Sequence, residues 1–244
     1  MKPLPVSQTV RVLAVALLAA AGALIGCTIK QQVQIEADGS GTVDMSIHLQ
    51  PLFVDYLGDL AELTGEPMAD QVFNVEEIKK GFSKREDVEL LRIATPGPES
   101  LEMKLRFRSI EQVFSGEQKL KQAGVIRFDT VPEGYSVRFH LDKSNFSSVL
   151  EFMPVLQNPL FEGLGPQENE DISEAEYYEL IDLALGEGGA ECLEASYIET
   201  RVTVKGTLVS QSGGSLSERG VTYRIPLIRV LLLDKPLDYS LIFK

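Results

Sequence analysis

Few side chains in this sequence are suited to nucleophilic, acid/base or metal chemistry: two histidines, two cysteines and one run of acids. His48 and His140 both fall on the polar parity of alternating stretches, His48 between Ser46 and Gln50, His140 between Arg138 and Asp142. That placement predicts exposed strand residues, whereas pairing of the two strands would present them together as an acid/base or metal-binding pair. Cys192 lies among Glu191 and Glu194, whose charge disfavours a thiolate, the wrong setting for a nucleophile. Glu168, Glu170, Asp171, Glu174, Glu176, Glu179 and Asp182 lack the Asp-x-Asp-x-Asp-Gly spacing that converges oxygens on one cation. They predict a solvated helix face, with a divalent-cation site as the alternative. The sequence holds no HExxH, GxSxG, SxxK or GxxxxGK. No catalytic residue, cofactor or metal is therefore expected; the competing enzymatic reading is a hydrolase whose two carboxylates converge from distant segments.

Cys27 carries a different chemistry. Lys2 and Arg11 precede an uninterrupted small and apolar run from Val12 to Gly26, without an acid and shorter than the ~20 residues a permanent membrane helix needs. Leu24-Ile25-Gly26-Cys27 ends that run and resembles the bacterial lipobox, in which cleavage exposes a cysteine that bears diacylglycerol on sulfur and an acyl chain on the new amine. The resemblance implies a signal peptide over residues 1–26 and a membrane anchor at Cys27, since two or three chains hold where a single chain binds marginally. Thr28, where inner-membrane retention uses Asp, favours the outer membrane, facing the periplasm or the cell surface, if the cell is Gram-negative.

The formal net charge of −13 excludes a nucleic-acid partner and a basic footprint on anionic lipid. With Cys27 lipidated, Cys192 has no disulfide partner, so a packed core must supply stability.

The elements that position these residues are hairpins and helices. Ile29, Val33, Ile35 and Ala37 alternate, Asp38-Gly39-Ser40-Gly41 turns, and Val43, Met45, Ile47 and Leu49 alternate again. A helix begins at Pro51 and closes at Gly65, and Asn74 with Glu77 caps another. Val88–Ile93 and Leu101–Phe107 form a second hairpin, with Leu101, Met103, Leu105 and Phe107 buried against exposed Glu102, Lys104, Arg106 and Arg108. Ser109 with Gln112 caps a helix to about Gln122, and Val125–Thr130 with Tyr135–Leu141 make a third hairpin. From Ser144 to Thr200 the chain has no Lys or Arg, and Ser173 with Glu176 caps a helix ended by Gly186. Strands follow at Tyr197–Val209, Val221–Ile225 and Pro236–Phe243. The expected class is α+β: an antiparallel curved sheet of successive hairpins with helices packed on one face, as a single domain over residues 27–244 with a helical acidic insertion at about 144–196.

The lipidated cysteine, the early strand with Asp-Gly-Ser-Gly, the segment Arg106-Phe107-Arg108-Ser109 and the late strands with a Pro-Leu step are similar to bacterial lipoproteins of the mycobacterial LppM type. That resemblance implies a curved sheet around an apolar cavity that handles lipid, and it transfers no site residues. Within the insertion, Pro154 and Pro159 interrupt an apolar stretch in which Phe152, Leu156, Leu160 and Phe161 are the candidate wall of a hydrophobic site. The functional expectation is a non-enzymatic, membrane-anchored envelope lipoprotein that binds a lipid-like ligand or an envelope protein. A structural spacer in an envelope assembly is the alternative.

Overall fold

The computed structural model describes residues 27–64, 72–116, 118–150, 165–166, 172–218 and 220–244. The alternating first segment forms strands β1 (Cys27–Ile35) and β2 (Gly41–Leu49), paired antiparallel from Cys27↔Leu49 to Ile35↔Gly41. In the turn, Ser40 donates both its amide and its hydroxyl to Asp38 Oδ1, at 3.0 and 2.7 Å, while Gly39 takes a φ of 80°. Ala37 belongs to this exposed turn rather than to the buried parity of β1. A Cβ on Gly41 would overlap the Gln34 carbonyl and the Phe107 ring, so glycine is required where the hairpin meets its neighbour. That neighbour is β4 (Ser100–Phe107), which pairs with β2 and with β3 (Val88–Ala94). Leu101, Met103, Leu105 and Phe107 are buried. The wet face carries Lys104–Asp44 at 2.9 Å, Arg106–Glu89 at 3.1 Å and Arg92–Glu102 at 3.4 Å, cross-strand pairs of opposite charge.

The class is α+β, as the hairpin pattern implies, with the strands divided between two sheets. The larger has the order β3-β4-β2-β1-β7-β10-β9, adding β7 (Tyr197–Val204), β9 (Ser215–Ser217) and β10 (Gly220–Pro226). The smaller has the order β5-β6-β11-β8, from β5 (Ile126–Val131), β6 (Gly134–Leu141), β8 (Leu208–Ser212) and β11 (Leu237–Phe243). One pair departs from antiparallel: β7 runs parallel to β1, from Thr28↔Tyr197 to Ile35↔Val204. A parallel neighbour needs a long crossover, which the span after β1 provides. The single strand expected over Tyr197–Val209 breaks into β7 and β8. Lys205 still donates to the Ile35 carbonyl at 2.8 Å, whereas Thr207 exchanges hydrogen bonds with Lys244 at 2.6 and 3.0 Å, so the chain changes sheets within three residues. Gly206 makes the corner, because a Cβ there would overlap the Lys244 carbonyl oxygen.

Helices α1 (Pro51–Thr64) and α2 (Val75–Phe82) start where Pro51 and the Asn74 cap place them. The helix expected after Ser109 is helical on both sides of residue 117, as α3 (Ile110–Gly116) and α4 (Gln118–Gln122), and the Gln112 amide donates to Ser109 Oγ at 3.4 Å. Helix α5 covers Ser147–Leu150. Helix α6 (Glu174–Leu185) opens on a reciprocal capping box of Ser173 and Glu176 and closes at Gly186, φ 87°. Helices α7 (Gly189–Glu194) and α8 (Leu227–Leu232) complete the set. The sequence pattern did not locate α8, whose Leu227, Ile228, Val230, Leu231 and Leu232 are all buried: six residues, apolar on both sides of Arg229, are too few to show a period that distinguishes helix from strand. One cluster of buried apolar side chains connects both sheets and the helices around them.

Candidate functional site

Inward-facing residues of the two sheets leave a cavity of about 120 Å³ between them. Strand periodicity sets its walls, since alternate residues point to one face. The larger sheet contributes Val33 and Ile35 from β1, Ile198, Thr200 and Val202 from β7, and Tyr223 and Ile225 from β10. The smaller sheet contributes Ile126, Val137, Phe139, Leu141, Leu237, Tyr239 and Leu241; Ile110 and Phe114 of α3 and Val230 of α8 also line it. Arg138 and Ser240 border the same space, Arg138 as an exposed residue. Apolar voids of this order, about 150 Å³ in a well-studied case, stay dry and admit benzene-sized molecules, so hydrocarbon is the chemistry this lining favours.

Aromatic side chains brace the smaller sheet. Phe114, Phe128, Tyr135 and Phe243 follow one another at centroid distances of 5.8, 5.6 and 5.7 Å, and Phe139 stacks on Tyr239 at 6.1 Å. Tyr223 meets Tyr239 edge-on at 5.5 Å and donates its hydroxyl to the Ser240 carbonyl at 2.7 Å, a direct hydrogen bond between the sheets. Burial pushes the Tyr223 phenol up to about 12 and raises that of Tyr239, so both remain neutral beside the cavity.

Gln31 and Thr200 were missed by the sequence reading. They are buried on the inner face of the larger sheet, where Thr200 donates to Gln31 Oε1 at 3.4 Å. The available signal was Gln31 itself, a polar residue on the same parity as Ile29, Val33 and Ile35. Its partner was not legible, because Thr200 reaches it only through the parallel register of β1 and β7.

Cys27 is the first residue of β1, with a side chain 0% exposed on the same face as Ile29 and Gln31. Burial first, and nearby Cys192 second, hold its thiol well above the ordinary range. The Cys192 thiol is raised to about 11, as expected in direction, but burial is the cause rather than the neighbouring acids. Phe152, Leu156, Leu160 and Phe161 lie outside the described residues, as do Glu168, Glu170 and Asp171. Glu176 is committed to the α6 capping box.

The two histidines do not meet. His48 lies on β2 of the larger sheet, its Nδ1 3.0 Å from Ser100 Oγ; His140 lies on β6 of the smaller. His140 stands between Asp238, 2.6 Å from Nδ1, and Asp142, 3.1 Å from Nε2. Its pKa is raised, chiefly by the Asp238 hydrogen bond, and that of Asp142 is lowered, chiefly by the Ser144 hydroxyl. The sequence reading placed Asp142 beside His140 but not Asp238, which cross-strand pairing brings opposite. Buried polar residues are Gln31, Ser136, Asn145, Ser196 and Thr200; among the described residues none of the buried polar groups is a carboxylate. Among those same residues, no three His, Cys, Asp or Glu side chains gather to hold a metal, and no helix is long and apolar enough to cross a membrane.

No family model matches the chain, and no curated protein matches it by sequence. Among solved structures, the NMR structure of the folded domain of Mycobacterium tuberculosis LppM is similar, with a TM-score of 0.40, 10% sequence identity and 88% of each chain covered. At that identity the likeness assigns neither ligand nor activity to this chain.

Proposed function

We propose that this protein is a bacterial envelope lipoprotein, held to the outer membrane by acyl chains on Cys27, whose body binds the apolar part of a lipid-like molecule between its two sheets. The observation that carries the reading is the cavity, apolar on nearly all sides, with no buried carboxylate or histidine among the described residues that border it. Hydrocarbon that enters such a space leaves water and gains contact with apolar walls, and the lining offers little to a reacting group. A lipid ligand is reached by its apolar end, and the half-buried Phe139 and Tyr239 are the rings that must shift to widen the space for a longer chain.

The proposed anchor lies within β1, so acyl chains on Cys27 leave no spacer between the lipid and the larger sheet. Cys27 is 0% exposed where it stands, so acyl chains on its sulfur reach the membrane only when the start of β1 turns out of the sheet. The apolar segment with Phe152, Leu156, Leu160 and Phe161 is proposed as an additional wall of the site.

Native mass spectrometry of the protein extracted from its own membrane tests this directly. A co-purifying lipid is expected, and it should be lost in Val137→Phe, which fills the cavity with a larger side chain while the fold is retained. Recovery of the same lipid from a folded Val137→Phe variant would reject the site, and recovery of a stoichiometric protein subunit without lipid would favour the partner-binding alternative.

A further inference from the structure

Gln31 and Thr200 interrupt the apolar inner face of the larger sheet at one level. Register places Gln31 opposite Met45 on one side and Thr200 on the other, with Tyr223 beyond Thr200. Thr200 and Tyr223 border the cavity; Gln31 is 1% exposed and Thr200 7%. The Tyr223 hydroxyl is already engaged by the Ser240 carbonyl. Gln31 Nε2 has no hydrogen-bond partner among the described residues. A buried amide without an acceptor is costly, and native interiors rarely keep one unless something else supplies the acceptor.

The amide's orientation does not remove the surplus. With Thr200 Oγ1 donating to Gln31 Oε1, both Nε2 hydrogens are left over. With the amide turned over, Nε2 donates to Thr200 Oγ1, and the threonine O–H is released beside the cavity. Either way, at least one donor of the pair is left without a protein acceptor, and its neighbours on the same face by register, Ile29, Val33, Met45, Ile198 and Val202, carry no side-chain oxygen.

Building on the cavity reading above, we infer that the bound molecule carries an acceptor oxygen at this level: the cavity takes an acyl ester rather than a plain hydrocarbon, with its carbonyl accepting from Thr200, the member of the Gln31–Thr200 pair that lines the cavity. A carboxylate would also accept, but it would bring a charge into a space whose bordering cation, among the described residues, is the exposed Arg138. A neutral ester satisfies the donor and leaves the walls apolar.

The test uses the lipidated protein in amphipol with glutamine-selective ¹⁵N labelling, and two probes of equal heavy-atom count, methyl butanoate and n-heptane. The ester should shift the Gln31 side-chain amide resonances and heptane should not. The double variant Gln31→Leu/Thr200→Val removes donor and partner together; it should bind the ester on the order of tenfold more weakly, keep its heptane affinity, and melt no lower than the parent. Thr200→Ser, which retains the hydroxyl, should keep the ester preference. If both probes bind the parent but the ester neither moves the Gln31 amide nor distinguishes the double variant, the ester assignment is overturned and the cavity reading stands. A double variant that melts lower with unchanged ester affinity identifies the pair as structural and likewise overturns it. If neither probe binds the parent, the cavity reading fails and the ester assignment with it.

Discussion

Phe107 and Arg106 are adjacent in sequence and opposite in consequence. Phe107 is 2% exposed and fills the space over Gly41, whereas Arg106 is exposed and pairs with exposed Glu89 across a strand. Phe107→Ala removes a ring from a packed interior and is expected to cost ~3–5 kcal/mol, against less than ~0.5 for Arg106→Ala, whose surface ion pair is solvent-screened. Urea titrations of the two variants check this; equal losses would mean that the strand faces are inverted. At His140 the relevant variable is pH. Its raised pKa means that the folded state holds the proton more tightly than the unfolded chain does, so the stabilisation is complete below the ordinary histidine value of about 6.5 and fades as pH rises through the higher folded value. Asp142, lowered, sets the opposite limit: its contribution is present above the ordinary carboxylate range and fades as pH falls through its lower folded value. Asp238→Asn should bring the His140 midpoint down toward 6.5, read from its ring proton shifts in an NMR titration. An unchanged midpoint would show that the 2.6 Å contact is not what holds the proton.

Corners and caps decide the elements. Helix α6 has its limits written locally, Ser173 and Glu176 at one end and Gly186 at the other. The step from β7 to β8 depends instead on a contact distant in sequence: Gly206 passes against the carbonyl of Lys244, and Thr207 pairs with that same residue. Gly206→Ala is expected to destabilise the protein by ~1–3 kcal/mol, because the added carbon meets backbone rather than a side chain that can move aside. Hydrogen exchange would locate the loss, with the Thr207 and Lys244 amides losing protection before those of β1. Uniform loss across both sheets would instead mean that the corner and the larger sheet open together.

Across the whole molecule, the proposed anchor and cavity are separated along β1, with Cys27 at its start and Val33 and Ile35 at its far end. Cys27→Ser is expected to block both lipid attachment and processing at this site, because a hydroxyl does not replace the thiol in the transfer. Intact-mass measurement of the membrane-extracted variant decides it; an unchanged acylated mature mass would reject the anchor. A chain bound between the sheets, by contrast, should bind the unlipidated variant as well, since Cys27 is not a cavity residue.

The sequence by itself determined what depends on neighbours a few residues apart. The buried parity of Leu101, Met103, Leu105 and Phe107 follows from the two-residue strand repeat, and the ends of α6 follow from side chains that satisfy the helix's own amides. Gln31 was visible as a polar residue on a buried parity, but its meaning was not, because its partner Thr200 lies more than a hundred residues away along the chain. The division of the strands into two sheets, the parallel pairing of β1 with β7, the meeting of His140 with Asp238 and the helical form of Leu227–Leu232 were decided only in the tertiary structure. Local patterns specify which face of a strand is apolar. Which other face covers it is settled by packing the entire chain at once, and the space that packing leaves unfilled is where the candidate site lies.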